Sequence, residues 1–270
     1  MNEVNWKKLW LSIGGMVSFY LSYKFITLII LYSVSGLQNK PYYQFVYFVI
    51  VLIISLEILK MSKKLFNRKI YLGPNFKVII ETKGLIFIVP IVLFGLDFIV
   101  VLPQVLSQPF ILMIASLFSA IGAGIFEEIR DRGFGINGLY LALPKSKWKP
   151  LIIALITSLI FSLTHYFNLF LPNAPTTLAV NQQVFYTFFF GMCMAVLTLR
   201  TRTILYSILF HFMNNFTVWS PTADLAQSSP WPSLVIIYGV VPIIYSLWYL
   251  RPTKVSSLCN DALFHQNTSV

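Results

Sequence analysis

The chain has 270 residues, of which 57% are hydrophobic and only 11% charged, whereas a water-soluble domain carries about 25% charged residues. A soluble fold of this length has too little interior to hide so much apolar side chain, so lipid must serve as part of the solvent. The formal net charge of +11 does not indicate a nucleic-acid partner: the basic residues sit in loops between apolar runs, where topology and anionic headgroups select them, and no basic aromatic module accompanies them. The two cysteines, Cys193 and Cys259, lie far apart and form neither a disulfide framework nor a zinc pattern.

Eight apolar runs follow in chain order, at approximately 9–34, 43–61, 84–103, 108–129, 149–170, 182–199, 203–219 and 232–250. Each is long enough for a helix crossing a ~30 Å hydrocarbon core. The expected fold is therefore all-α, a polytopic integral membrane helical bundle of about eight transmembrane helices, with no repeat of fixed period. Lys7 and Lys8 precede the first run, which is too long for a signal-peptide core and lacks a small-residue cleavage site, so it reads as a retained anchor. Segment 62–83 is the longest basic loop and reads as a topology determinant lying on anionic lipid. With the N-terminus in the cytoplasm, alternation places 18 of the 20 Lys and Arg residues inside, Lys40 alone outside and Lys24 within the first span. An even number of spans, with N- and C-termini both cytoplasmic, is what preserves this asymmetry. The tail 251–270 is polar and ends in Thr-Ser-Val, which is not a prenylation box.

Ionisable groups inside a membrane are expensive, at least ~2.5–3.5 kcal/mol on insertion scales, and are functional candidates by default. Three groups stand out. Glu127, Glu128 and Arg132 close the fourth run. Glu128 and Arg132 are four apart and share a helix face, leaving Glu127 rotated about 100° away and free for another task. Ala120, Gly122, Ala123 and Gly124 precede them, and such small residues let helices approach closely, within the chain or between copies. Phe161 and His165 share a face of the fifth run, and His211 and Asn215 a face of the seventh, where they can donate to an oxyanion or hold a metal or water. Each group alone also reads blandly: interfacial charges at a helix end, a core histidine satisfied by a helical neighbour, interhelical glue. Asp97 is mid-span without an obvious partner, Lys24 being one candidate, and Glu57 lies near the inner end of the second run.

Taken together and in this order, Glu-Glu-x-x-x-Arg, Phe-x-x-x-His and His-x-x-x-Asn on three helices resemble the CPBP family (CAAX protease/Abi), which includes the type II CAAX prenyl endopeptidases and many bacterial Abi proteins. The similarity covers roughly residues 84–250. It divides the chain into 1–83, two N-terminal spans and a basic loop; 84–250, a protease core; and 251–270, a polar tail. The resemblance implies an intramembrane endopeptidase of a bacterial cytoplasmic membrane, acting on a membrane-associated peptide or protein through a cavity open to the cytoplasm, in peptide maturation, signalling or bacteriocin self-immunity. Glu127 and His165 would activate the attacking water, His211 and Asn215 would bind the oxyanion, Glu128 and Arg132 would hold the site in shape, and Phe161 would pack beside it. It also implies either a metal-free, glutamate-dependent site or a zinc held by Glu127, His165 and His211. Asn, a poor zinc ligand and a good oxyanion donor, favours the first. Many relatives have apolar residues where this sequence has Arg130 and Asp131, for which a local network with Glu127 and Glu128 is expected. Two other readings are a non-catalytic scaffold of the same fold and a proton-coupled transporter using Asp97 and the histidines.

One constraint follows from the runs as drawn. They place Glu127 near the inner end of the fourth span and His165 about 24 Å into the fifth, so the constellation assembles only if helices tilt or begin deeper than drawn.

Overall fold

In hydrocarbon every backbone amide must be satisfied within its own segment, and the apolar runs fold accordingly as helices. The computed structural model describes residues 3–34, 36–37, 40–81, 84–170, 174–220 and 229–251. The polar tail beyond Arg251, with Cys259, lies outside the described residues. No strand occurs among those described. Seven helices are long and apolar enough to cross a membrane: α1 Trp6–Ser33, α2 Tyr43–Phe66, α4 Leu85–Leu106, α5 Phe110–Ala142, α6 Lys149–Phe170, α7 Thr177–Thr201 and α9 Trp231–Leu250. Two shorter helices are α3, Phe76–Glu81, and α8, Leu205–Asn215.

Helix ends follow local chemistry. Asn5 caps α1, its Oδ1 accepting from the Lys8 amide at 3.0 Å, and Thr176 caps α7 through the Ala179 amide at 3.2 Å. Asn67 and Arg202 take left-handed backbone after α2 and α7, with φ of 52° and 60°, and basic residues occupy both last turns, where they complement the helix dipole. In α7 every residue from Phe190 to Leu199 is buried, so this half of the helix has no lipid face. The outward faces carry large exposed apolar residues, among them Phe25, Ile29, Leu96, Ile99 and Ile244. The chain is an integral, multi-pass membrane protein.

Two expectations are corrected. The seventh run, 203–219, is not a full-length transmembrane helix: α8 has 11 residues, which rise only about 16 Å. The segment still runs from one side of the bundle to the other. At its start Ile204 N and Thr203 Oγ1 both donate to Tyr71 O, in the basic loop, at 3.1 Å. At its finish Trp219 N donates to Ser116 Oγ at 3.0 Å, and Trp219 O accepts from Gln108 in the α4–α5 turn at 2.9 Å. Extended chain at about 3.3 Å per residue supplies the rest of the distance, so alternation survives with seven long helices and one short one. The second correction concerns the fourth span, which does not stop near residue 129. A π-helical stretch, Ile129–Gly135, carries it on to Ala142. All seven residues of that stretch are buried, so Arg130 and Arg132 belong to the interior and drop out of the basic-loop tally.

That continuation resolves the depth problem. Glu127 lies 15 residues before Ala142, about 22 Å by helix rise, and His165 lies 16 residues after Lys149, about 24 Å. The two inner ends are tied where Lys149 Nζ donates to Leu143 O at 2.7 Å. The two side chains accordingly sit at a similar level, and both line one cavity.

Candidate active site

Three close approaches assemble the site. A Cβ at Gly124 would lie 3.1 Å from Ile208 O and 3.2 Å from Phe212 N, so the backbones of α5 and α8 nearly touch there. This brings His211, between those two α8 residues, against Glu127 and Glu128, one turn beyond Gly124. Gly122, on the same helix, receives the Tyr47 and Val51 side chains of α2. Both glycines thus serve packing within the chain. At Gly191 a Cβ would lie 2.9 Å from Arg132 Nη2 and 3.0 Å from Ser158, so a glycine in α7 makes the slot that admits the guanidinium.

His211 is held between the two carboxylates. Its Nδ1 lies 2.7 Å from Glu128 Oε1 and its Nε2 3.3 Å from Glu127 Oε2. An imidazole facing carboxylates at both nitrogens donates at both in its cationic form. Such outer carboxylates fix ring orientation. Glu128 is fully buried, with Arg132 Nε 3.4 Å from its Oε2, while the Glu127 side chain keeps 18% exposure and opens onto a cavity. Arg130 forms a two-pronged pair with Asp131, Nε to Oδ1 at 2.9 Å and Nη2 to Oδ2 at 2.6 Å, and Arg132 Nη1 lies 3.4 Å from the same Oδ2. The expected local network exists, and it runs Arg130–Asp131–Arg132–Glu128–His211–Glu127. Aromatic faces cover its cations: Arg130 stands 5.0 Å from the Tyr20 ring centre and Arg132 4.7 Å from that of Phe161.

His165 lies where α6 passes from α-helix to a 3-10 turn. Its Nδ1 is 3.0 Å from Phe161 O. A carbonyl only accepts, so Nδ1 carries the proton of that bond and the neutral ring presents a lone pair at Nε2. Phe161 meets both histidines edge-on, at 4.9 Å for His165 and 5.8 Å for His211. Tyr20 of α1 donates to Thr164 O at 2.8 Å and braces the same corner.

Glu127, Phe161, His165, His211 and Asn215, which the sequence singled out, all line one cavity of about 230 Å³. Glu128 and Arg132 lie behind it. The pairing differs from expectation in one respect: the imidazole in contact with Glu127 is His211, and His165 faces the cavity from the adjoining wall. Among the described residues no three His, Cys, Asp or Glu side chains are grouped closely enough to hold a metal ion. His211 spends Nδ1 on Glu128 and turns Nε2 toward Glu127 at the cavity.

Sequence reasoning missed several lining residues. Tyr20, Tyr23 and Lys24 come from α1, Asn168 from the end of α6, Gln183 and Tyr186 from α7, and Asn214 from α8. Tyr186 Oη donates to Asn214 Oδ1, and Asn168 Nδ2 to Gln183 Oε1 at 2.9 Å. Lys24 was visible as a cation within a span; tyrosines in apolar runs carry no such signal. Lys24 does not meet Asp97, which is exposed beside Tyr238 on α9 and lines no part of the cavity. The cavity also lies nearer the helix ends opposite the basic loops, since it takes the last turns of α6 and α8 and the first turns of α7. The buried network lies behind it on the basic side.

Residues 108–217 match the family described as type II CAAX prenyl endopeptidase Rce1-like. The match contains all three motifs and supports intramembrane endopeptidase activity in general. No curated protein and no solved structure matches the chain.

Proposed function

We propose, from the Rce1-like match over residues 108–217, that the chain hydrolyses a peptide bond of a membrane-associated peptide or protein by a glutamate-activated water. The observation that carries this reading is the contrast between two adjacent carboxylates: Glu128 is sealed against Arg132 and His211, while Glu127 faces the cavity. A sealed, paired carboxylate positions; an accessible one transfers protons. Water entering the cavity donates one hydrogen bond to Glu127 and the other to His165 Nε2. Glu127 takes a proton as the water oxygen attacks the carbonyl carbon. The carbonyl oxygen becomes an oxyanion and accepts from the Asn215 amide and from His211, whose ring Glu128 and Phe161 hold in place. The proton on Glu127 passes to the leaving amine as the C–N bond breaks, which regenerates the carboxylate. No step requires a metal, and Asp97, away from the histidines, has no part in it.

The test compares peptide termini in membranes carrying the wild type and Glu127→Ala at matched levels. Termini that appear only with the wild type are expected and would name the substrate. An unchanged terminus profile, with any phenotype of the wild type retained by the variant, would favour the non-catalytic scaffold of the same fold.

A further inference from the structure

Lys24 is the cavity residue that the proposed chemistry does not use. It sits within α1, 18 residues past Trp6 and nine before Ser33, well inside the span and outside the region matched by the family. A lysine at membrane depth normally snorkels to an interface or pairs with a carboxylate. Lys24 does neither. It borders the cavity together with Tyr20, Tyr23 and Glu127. Its Nζ stands 5.5 Å and 5.4 Å from the ring centres of Tyr20 and Tyr23. Every ion pair found within 4 Å among the described residues leaves it out, that of Glu127 with His211 included. The other interior cations are closed off: Arg130 and Arg132 are spent on Asp131 and Glu128. Two aromatic rings attract an ammonium through their faces without taking its hydrogen-bond donors, and Lys24 lines the cavity.

We infer that Lys24 is a specificity-determining residue whose ammonium takes a carboxylate of the substrate within the cavity. This deepens the peptidase reading and rests on it for the identity of the ligand as a peptide. The ammonium carries three donors and no acceptor, so the group it selects is an anion. In a peptide that anion is either the free C-terminus or an Asp or Glu side chain near the bond to be cut. A charge-assisted hydrogen bond made away from bulk water is worth roughly 1.5–3 kcal/mol, and one near the lower end corresponds to about tenfold in affinity. Peptides able to place a carboxylate there are retained, and neutral ones of the same shape pass weakly. Among the described residues no ion pair within 4 Å joins the ammonium to Glu127, whose contact is with His211.

Binding without turnover separates this inference from the peptidase reading. The full chain, purified into lipid nanodiscs, is titrated with acetyl-trialanine as the free acid and as the carboxamide, and with acetyl-Ala-Glu-Ala carboxamide. The wild type is expected to bind at least one carboxylate-bearing peptide about tenfold more tightly than the neutral carboxamide. Which of the two gains identifies the source, terminal or side-chain. The preference is expected to vanish in Lys24→Gln and persist in Lys24→Arg. Equal binding of all three peptides by the wild type, or a preference that survives Lys24→Gln, would overturn the inference. The wild-type ratio stands on its own if a variant fails to fold. A chain that discriminates through Lys24 yet generates no new termini loses the peptidase reading and keeps this one; a chain that cleaves without discriminating does the reverse.

Discussion

Two ion pairs in this molecule close at the same N···O distance, 2.6 Å, in opposite surroundings. Arg130–Asp131 lies in the fully buried π-helical stretch of α5, whereas Lys60–Glu57 stands near the basic end of α2 with side chains 70% and 54% exposed. Distance alone would rank them equal. Burial ranks them apart, because removing one partner from a buried pair leaves a charge that neither water nor headgroups can reach. The interior pair also has neighbours that depend on it: Asp131 serves Arg132 as well, and through Arg132 it reaches Glu128 and His211. The interior network therefore holds one cation and one anion more than the Glu128–Arg132 pair alone.

The largest expected effect in this comparison is therefore at Asp131. Asp131→Asn leaves two guanidinium groups around a neutral amide and is expected to destabilise the protein by about 3–5 kcal/mol, read as a lowered unfolding midpoint in detergent. Replacing Arg130 and Asp131 together with Met and Leu removes both charges and is expected to recover most of that loss. If Asp131→Asn unfolds no earlier than the wild type, the interior network is not structural and the contrast with α2 fails.

A smaller effect is expected where the network meets its neighbouring helix. Gly124 is the point at which α8 lies against α5, and a methyl group there must displace the α8 backbone by a few tenths of an ångström. Gly124→Ala is expected to lower stability by about 1–3 kcal/mol, as overpacking does. It should also reduce turnover more than the stability loss alone predicts, because His211 moves with α8. Comparing kcat with KM on the substrate recovered from the terminus comparison checks this: a fall in kcat at constant KM is expected, and an unchanged kcat would separate the helix contact from the chemistry.

How much of this was legible beforehand depended on whether the signal was local. Glu127, Glu128, Arg132, Phe161, His165, His211 and Asn215 are spaced by helix periodicity along single runs, so the sequence exposed them and their grouping. The length of α5 was not legible, because Arg130-Asp131-Arg132 looks like the end of a span. Only partners distant in sequence reveal that the charges are paired inside: Tyr20 over Arg130, Phe161 over Arg132 and His211 on Glu128. The shortness of α8 was hidden for a related reason. Residues 216–219 are as apolar as a helix and extend instead, with the Trp219 backbone satisfied by Gln108 and Ser116 from elsewhere in the chain. The share of α1 in the cavity was foreshadowed by Lys24 alone, a cation with no reason to lie in a span except what it faces.

The smallest expected effect closes the comparison from the exposed side. Glu57 and Lys60 are three apart on α2, and each remains well exposed when paired. Removing either leaves a group that stays solvated or reaches headgroups, so the attraction lost is offset by hydration and by regained side-chain freedom. Glu57→Ala is expected to shift stability by no more than about 0.5 kcal/mol and to leave the terminus profile of the wild type unchanged. Lys60→Ala should behave the same way. A loss at Glu57 as large as that at Asp131 would mean that this face of α2 is covered in the membrane by something the isolated chain lacks, and that the apparent difference between the two 2.6 Å pairs reflects a missing neighbour rather than burial.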